Sequence, residues 1–388
     1  MVTIEEALLI IQDQKISLKS ELKPLEEALG FALATDTIAP FDVPEFDNSA
    51  MDGYALCGLY QEYRLVGEVA AGDSKEIELK DGEAVRIFTG AKAPENATAV
   101  MMQEKTSVKE KVLFLDEMPR VGQNIRKKGG QLNEGQTVFE KGHLLNPPSL
   151  SLMGSLGLEA LEVISKPTIN IITTGNELVN PGQPKAEGQI YESNSYAISG
   201  ALQQFGFRYH QKTQIKDDFE ATKAGIKKAL ESCDVLIISG GISVGDYDFV
   251  KQSLEENGVN ELFYKVLQKP GKPLYFGRKE NQFVFALPGN PASSLTCFYV
   301  YVLPLLQRLS GYEKTGLTTY QFPIKHPFKN TFGRPSFLKA AVMDGKVEIL
   351  DGQGSSMIQS MAKGNALAFV DDGEILNEGD LVKCRLIS

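Results

Sequence analysis

The chain has 388 residues, 42% of them hydrophobic and 23% charged, with a formal net charge of −10. That length accommodates roughly two to four ordinary domains, and the acidic balance excludes the broad basic footprint of a nucleic-acid-binding protein. No apolar run approaches the ~20 residues of a membrane span, and the acids of MVTIEEALLI stand where a secretory signal needs basic residues, so a cytoplasmic protein with neither membrane nor nucleic acid as a partner is expected.

Residues 1–40 have a helical texture. Thr3 followed by Glu6 forms a capping box ahead of the apolar run Ala7 to Ile11, and Pro24 suits a first helical position with Gly30 as the stop. Residues 41–141 change character. Short alternating runs (YRLVGEV, KEIELK, EAVRIFTG, KVLFLDE) separated by Gly, Asp, Asn and Pro predict a β-rich domain. Helical character returns in SLSLMGSLGL, and the apolar stretch LEALEVI follows. Residues 142–166 are expected to pack with residues 1–40, which makes 41–141 an insertion. From 167 to 312 strands and helices alternate: PTINIITTG, SNSYAISGALQQFG, RYHQKTQI, DDFEATKAGIKKALES, DVLIISGG, FVFALPGN and ASSLTCFYVYVLPLLQRL. Apolar strands joined by helices predict a doubly wound α/β domain around a parallel sheet. Residues 313–388 return to short strands with Gly turns, a small C-terminal β domain with a barrel-like texture. Cys57, Cys233, Cys297 and Cys384 are scattered and never spaced as CxxC, which indicates neither a zinc site nor a disulfide frame.

In a doubly wound sheet ligands bind beyond the carboxyl ends of the strands. Four loops of the 167–312 region fall there: TTGNEL, SGGISVGDYDF, QKPGKPL and LPGNPASS. Their glycines let backbone N–H groups approach a phosphate, their hydroxyls add donors, and the helices that follow add partial positive charge. None matches GxxxxGK[ST] or GxGxxG, which speaks against a P-loop ATPase and a nicotinamide site. Glu177, Asp217 and Asp248 accompany these loops. Asp217 and Asp248 each fit a helix cap, or a carboxylate that bridges to phosphate through magnesium. Asp52–Gly53 in FDNSAMDGYAL is a turn signal or marks a catalytic or metal-binding aspartate. The cations of GQNIRKKGGQL, Arg126 to Lys128, fit a solvated turn or a binding loop.

Taken together and in this order, DNSAMDGYA, TTGNEL, SGGISVGDYDF, KPGKP and LPGNPASS resemble the molybdopterin molybdenumtransferase family, the MoeA-type enzymes also represented by the C-terminal domain of gephyrin. The resemblance covers essentially the whole chain. It implies four structural domains, an elongated homodimer, a central domain of the MoaB/Mog type, and a reaction that converts adenylylated molybdopterin and molybdate into molybdenum cofactor and AMP with Mg2+. It carries catalytic positions to Asp52, Glu177, Asp217, Asp248, Lys265 and Gln131, with Asp52, Glu177 and Asp248 as metal ligands. It places molybdate at Lys269, Lys272, Pro273, Pro288, Pro291, Ser293 or Ser294, Arg334 and Ser355. It places molybdopterin and its phosphate at Thr174, Gly175, Gly240, Gly241, Ser243 and Gly245. A molybdopterin adenylyltransferase is an expected partner.

One departure stands out. The family pattern has an acidic pair after the basic run, whereas here the run reads RKKGGQ, so Gly130 and the uncharged Gln131 replace the acids. A lesser one is Lys339, where the family commonly has arginine. Two alternatives follow: an adenylyltransferase-like nucleotide enzyme built on the same middle fold, and a degenerate binding or scaffold paralogue that Gln131 would suit.

Overall fold

A computed structural model describes residues 1–72, 77–242 and 249–387. Helix α1 (Ile4–Gln12) begins on the expected capping box: the Thr3 hydroxyl accepts from the Glu6 N–H at 3.1 Å, and the Glu6 carboxylate accepts from the Thr3 N–H at 2.8 Å. Its buried residues, Ile4, Ala7 and Ile11, join the core of the central sheet. The helical texture expected after it is largely absent. Strand β1 (Ser20–Pro24) pairs antiparallel with β8 (Ala160–Ile164), so Pro24 ends a strand and only one 3-10 turn, Leu25–Glu27, follows. Tertiary pairing overrides local propensity here. Helix α2 (Pro147–Ser155) covers this pair, with Met153 packed among Ala28, Leu33, Leu161 and Val163.

The β-rich region carries a six-stranded mixed sheet of β2 (Gly53–Leu56), β3 (Glu62–Val69), β4 (Glu83–Ile87), β5 (Ala99–Met102), β6 (Thr106–Lys109) and β7 (Val112–Leu115), in the order β5-β2-β4-β3-β7-β6. A strand expected from KEIELK is absent over residues 77–80. Gly53 is obligatory, because a Cβ there would lie 1.9 Å from the Met101 carbonyl oxygen. That crossing fixes Asp52, one residue earlier, at the sheet's rim.

The central domain contains β9 (Ile169–Thr174), α3 (Asn194–Gln204), β10 (Tyr209–Ile215), α4 (Phe219–Leu230), β11 (Val235–Ser239), α5 (Val250–Glu256), β12 (Asn260–Tyr264), β13 (Tyr275–Lys279), β14 (Gln282–Leu287), α6 (Pro291–Cys297) and α7 (Leu303–Leu309). Strand order is β10-β9-β11-β14-β13-β12. Strands β9, β10, β11 and β14 are parallel, and fully apolar segments such as Val235–Ile238 are buried on both faces between two core clusters. The sequence pattern predicts a parallel sheet, but the sheet is mixed, because β13 runs antiparallel to both β14 and β12. This reversal still leaves the loop after β12 at the carboxyl edge. The single helix expected after LPGNP is interrupted by a π-helical turn at Phe298–Val302, just before Pro304, which has no N–H to donate to the preceding turn.

The C-terminal domain is a five-stranded antiparallel sheet of β15 (Thr319–Pro323), β16 (Ser336–Met343), β17 (Lys346–Ile349), β18 (Ala366–Val370) and β19 (Leu381–Leu386), ordered β15-β19-β18-β16-β17. Its two edges meet: Ile324 bridges Val347, and the Lys325 N–H donates to the Val347 carbonyl at 2.8 Å. That contact closes the sheet into a small barrel and removes its open edges.

Candidate functional site

A cleft of about 610 Å³ opens along the carboxyl edge of the central sheet. Thr173, Thr174, Gly175, Glu177, Asn194, Asp217, Ser239, Gly240 and Gly241 line one part of it, and Pro273, Pro288 to Pro291 and Ser356 line another. Of the residues expected to bind molybdopterin, Thr174, Gly175, Gly240 and Gly241 are thus gathered at one place. Gly240 and Gly241 have φ of +98° and +62°, and a Cβ on either would come within 3 Å of Thr174 Oγ1. Their lack of side chains lets this edge of backbone pack directly on Thr174, whose own buried hydroxyl has no protein partner among the described residues. Ser243, Gly245 and Asp248 lie outside the described residues.

The acids separate into two groups. Glu177 and Asp217 both line the cleft. Asp217 is not the helix cap. Asp218 fills that role for α4, accepting from the Ala221 N–H at 2.8 Å, while Asp217 exchanges bonds with Asn176: its carboxylate accepts from the Asn176 N–H at 3.2 Å, and its own N–H donates to Asn176 Oδ1 at 3.1 Å. Asp52 does not line the cleft. It sits on the β-rich domain, where its Oδ1 accepts from both the N–H and the hydroxyl of Thr89 at 2.7 Å. Those donors, foremost the Thr89 N–H, hold its carboxyl below the usual aspartate range, with Arg86 adding to the effect. Gln131 also lies on that domain. Its N–H donates to the Val43 carbonyl at 2.8 Å and its side chain is exposed. The neighbouring basic run is ordered by carboxylates: Lys127 pairs with Asp47 at 2.7 Å and Lys128 with Asp42 at 3.3 Å. Among the described residues no three acid, histidine or cysteine side chains cluster to hold a metal. Glu177 and Asp217 fit instead a magnesium ion completed by substrate oxygens and water, which needs only one or two carboxylates.

The lysine loop stands beside the cleft. Its centre is fixed from within by Gln268, which is fully buried: Nε2 donates to the carbonyls of Pro270 at 3.0 Å and Gly271 at 3.2 Å, and Oε1 accepts from the Tyr301 hydroxyl. It is fixed from outside by the C-terminal domain, since the Lys269 N–H donates to the Pro335 carbonyl at 2.9 Å and the Phe337 N–H to the Lys269 carbonyl at 2.7 Å. The Lys269 ammonium lies 3.2 Å from the Phe332 ring centroid. Partial burial, and after it the Arg334 guanidinium, pulls the Lys269 pKa below the ordinary lysine value. The C-terminal segment that carries Arg334 thus docks on Lys269 through its neighbours Phe332 and Pro335, while Lys272 is exposed and Lys265 rests against Tyr264, its ammonium 4.7 Å from the ring centroid.

Ser355 reaches the same region from the C-terminal domain. Its carbonyl accepts from the N–H groups of Ala292 at 3.1 Å and Ser293 at 3.3 Å, and its hydroxyl accepts from Asn290 Nδ2 at 3.1 Å. The N-terminus of α6, expected to offer its N–H groups to phosphate, thus has two of them taken by Ser355. Ser293 and Ser294 are both buried, and the Ser294 hydroxyl lies 3.4 Å from that of Ser239.

Several residues here escaped sequence reasoning. Asn194 opens α3 and also bridges loops. Its Nδ2 donates to Ser239 Oγ at 2.9 Å and to the Gly289 carbonyl at 2.7 Å, tying α3 to two loops of the cleft, while Glu192 caps α3 through the Ser195 N–H at 2.8 Å. Gln268, Phe332 and Thr89 carried no motif; only the position of Gln268 directly before KPGKP hinted at a role.

Known proteins share this arrangement over its whole length. Residues 2–157 match the MoeA N-terminal region (domains I and II), 170–308 a probable molybdopterin binding domain, and 321–387 the MoeA C-terminal region (domain IV). A molybdopterin molybdenumtransferase of Haemophilus influenzae is 35% identical over 384 residues, covering 96% of this chain and 95% of the relative. Another, of Nostoc sp., is 32% identical over 375 residues, covering 92% and 86%. The crystal structure of a molybdopterin biosynthesis MoeA protein from Pyrococcus horikoshii superposes with a TM-score of 0.85 at 29% identity, covering 100% of both chains. With three consecutive regions matched in order and a fold shared from end to end, the chain belongs to the MoeA family.

Proposed function

We propose that this chain is a molybdopterin molybdenumtransferase that inserts molybdenum into molybdopterin during molybdenum cofactor biosynthesis. The observation that carries this reading is the junction of the cleft with the lysine loop. A glycine-lined backbone edge suited to phosphate adjoins the KPGKP loop, on which the C-terminal segment that carries Arg334 docks at Lys269. Molybdate and phosphate are tetrahedral oxyanions, and ammonium, guanidinium and hydroxyl donors suit both.

In finer detail, the substrate is adenylylated molybdopterin. Thr174, Gly175, Gly240 and Gly241 hold its phosphates, and Lys269, Lys272, Arg334 and Ser355 take molybdate. Glu177 and Asp217 hold Mg2+, which supplies charge neutralisation at the phosphate oxygens when bound. The protein's own residues bind, orient and neutralise, and the Gly-rich edge keeps the backbone close enough to do so. The enzyme is cytoplasmic, which the four free thiols support. It works as a homodimer and receives its substrate from a molybdopterin adenylyltransferase.

Incubation with adenylylated molybdopterin, molybdate and Mg2+ tests this directly, with AMP release and reconstitution of an apo-molybdoenzyme as readouts. No AMP above background would overturn it. Gln131 favours one second reading, a binding paralogue without turnover, because Asp42 and Asp47 are both engaged by lysines and do not replace the missing acid. That paralogue would bind both substrates and release nothing.

A further inference from the structure

Lys339 is 3% exposed, yet its ammonium faces the backbone of a single short loop. Its Nζ donates to the carbonyls of Gly352 at 2.5 Å, Gly354 at 2.9 Å and Met357 at 3.0 Å, which uses all three of its donors. The main chain of the same residue is bridged by Gln353, whose Oε1 accepts from the Lys339 N–H at 3.0 Å and whose Nε2 donates to the Lys339 carbonyl at 2.8 Å. Between these anchors lie Ser355, which meets α6 and Asn290, and Ser356, which lines the cleft. Removing a lysine charge from water is unfavourable, and a well-packed apolar side chain usually stabilises a core as well or better. Stability alone therefore does not account for a cation at this position. Turning three carbonyls of one irregular loop, those of Gly352, Gly354 and Met357, inward does.

We propose that Lys339 is a positioning residue for oxyanion binding: by gathering the carbonyls of Gly352, Gly354 and Met357 it holds Ser355, one of the residues proposed to take molybdate, against the start of α6, and Ser356 at the cleft. This rests on the molybdate reading above. The loop has no other regular structure before α8 (Ile358–Lys363), so the ammonium is its internal support. An arginine offers the same charge and more donors, whereas a methionine of similar length offers neither.

Calorimetric titration of molybdate alone into the wild type, Lys339→Met and Lys339→Arg tests the proposal, with amide exchange of residues 352–357, Ala292 and Ser293 followed in parallel. Lys339→Met should weaken molybdate binding by about tenfold or more, the factor that ~1.4 kcal/mol represents, and should speed exchange at those amides, while Lys339→Arg stays near the wild type. Wild-type affinity in Lys339→Met, or an equal loss in Lys339→Arg, overturns the proposal and leaves the molybdate reading standing. No molybdate binding by the wild type removes both. If Lys339→Met does not fold, Gln353→Leu takes its place. It breaks the second anchor and should shift affinity in the same direction, and unchanged affinity there overturns the proposal.

Discussion

Gly271 lies at the centre of KPGKP, and replacing it by alanine probes how the lysine loop is held. Its φ is +85°, a conformation that disfavours any side chain by about 1–2 kcal/mol. The added Cβ would also lie 2.5 Å from Cys297 Sγ and 3.1 Å from Gln268 Nε2. Both neighbours are fully buried and cannot swing aside, so overpacking adds a further ~1–3 kcal/mol. Gly271→Ala should therefore destabilise the central domain by about 2–5 kcal/mol, the sum of those two ranges. Cys297→Ala removes the sulfur that the Cβ would strike. In the double variant the hard overlap with sulfur disappears and the backbone strain and the milder Gln268 contact remain, so the two substitutions should couple favourably by ~1–3 kcal/mol. Urea unfolding is the assay, followed by tyrosine emission because the chain has 13 tyrosines and no tryptophan. Free energies that add within ~0.5 kcal/mol would refute the contact as the reason for glycine at this position.

Three further outcomes are expected. Lys269→Ala and Lys272→Ala should each impair molybdate use more than adenylate hydrolysis; equal loss of both steps in a molybdate-dependence assay would deny the lysines a separate role. The lowered Lys269 pKa gives binding a pH dependence. An oxyanion favours the protonated form, so free protein must take up a proton to bind once pH exceeds the folded pKa. Molybdate affinity should then be flat near neutrality and fall with rising pH, beginning below the ordinary lysine value of 10.5, and in Lys269→Ala calorimetry the early onset of this fall should be lost. Gln131→Asp restores a carboxylate on an exposed turn and should raise AMP release if that missing charge limits turnover; an unchanged rate would free position 131 of any catalytic part.

The carboxyl-edge loops were legible because buried parallel strands are short apolar runs and their exits are rich in glycine. The antiparallel hairpin of β12 and β13 was not, since two short apolar runs around a proline loop read alike in either direction. Asp217 read as a possible cap, but its neighbour Asp218 is the carboxylate that meets the Ala221 N–H, a choice between adjacent acids that only the backbone path decides. Pro24 misled because its strand pairs with residues far along the chain at 160–164. The two contacts that tie the C-terminal domain to the lysine loop and to α6, Phe332 against Lys269 and Ser355 against the start of α6, join segments more than sixty residues apart, and no local pattern encodes them.

The hydrogen bonds that join Lys269 to Pro335 and Phe337 bear on how such a protein can be inherited. A central domain severed after residue 312 would keep its sheet and its glycine-lined edge. It would lose the partners of the lysine loop's backbone and the group that occupies the start of α6. Recombination that exchanged the small C-terminal barrel alone would have to match both seams at once. The central domain and the barrel are thus a single module for exchange: Phe337, Met361 and Leu367 pack into the central core, although the barrel also has a hydrophobic core of its own.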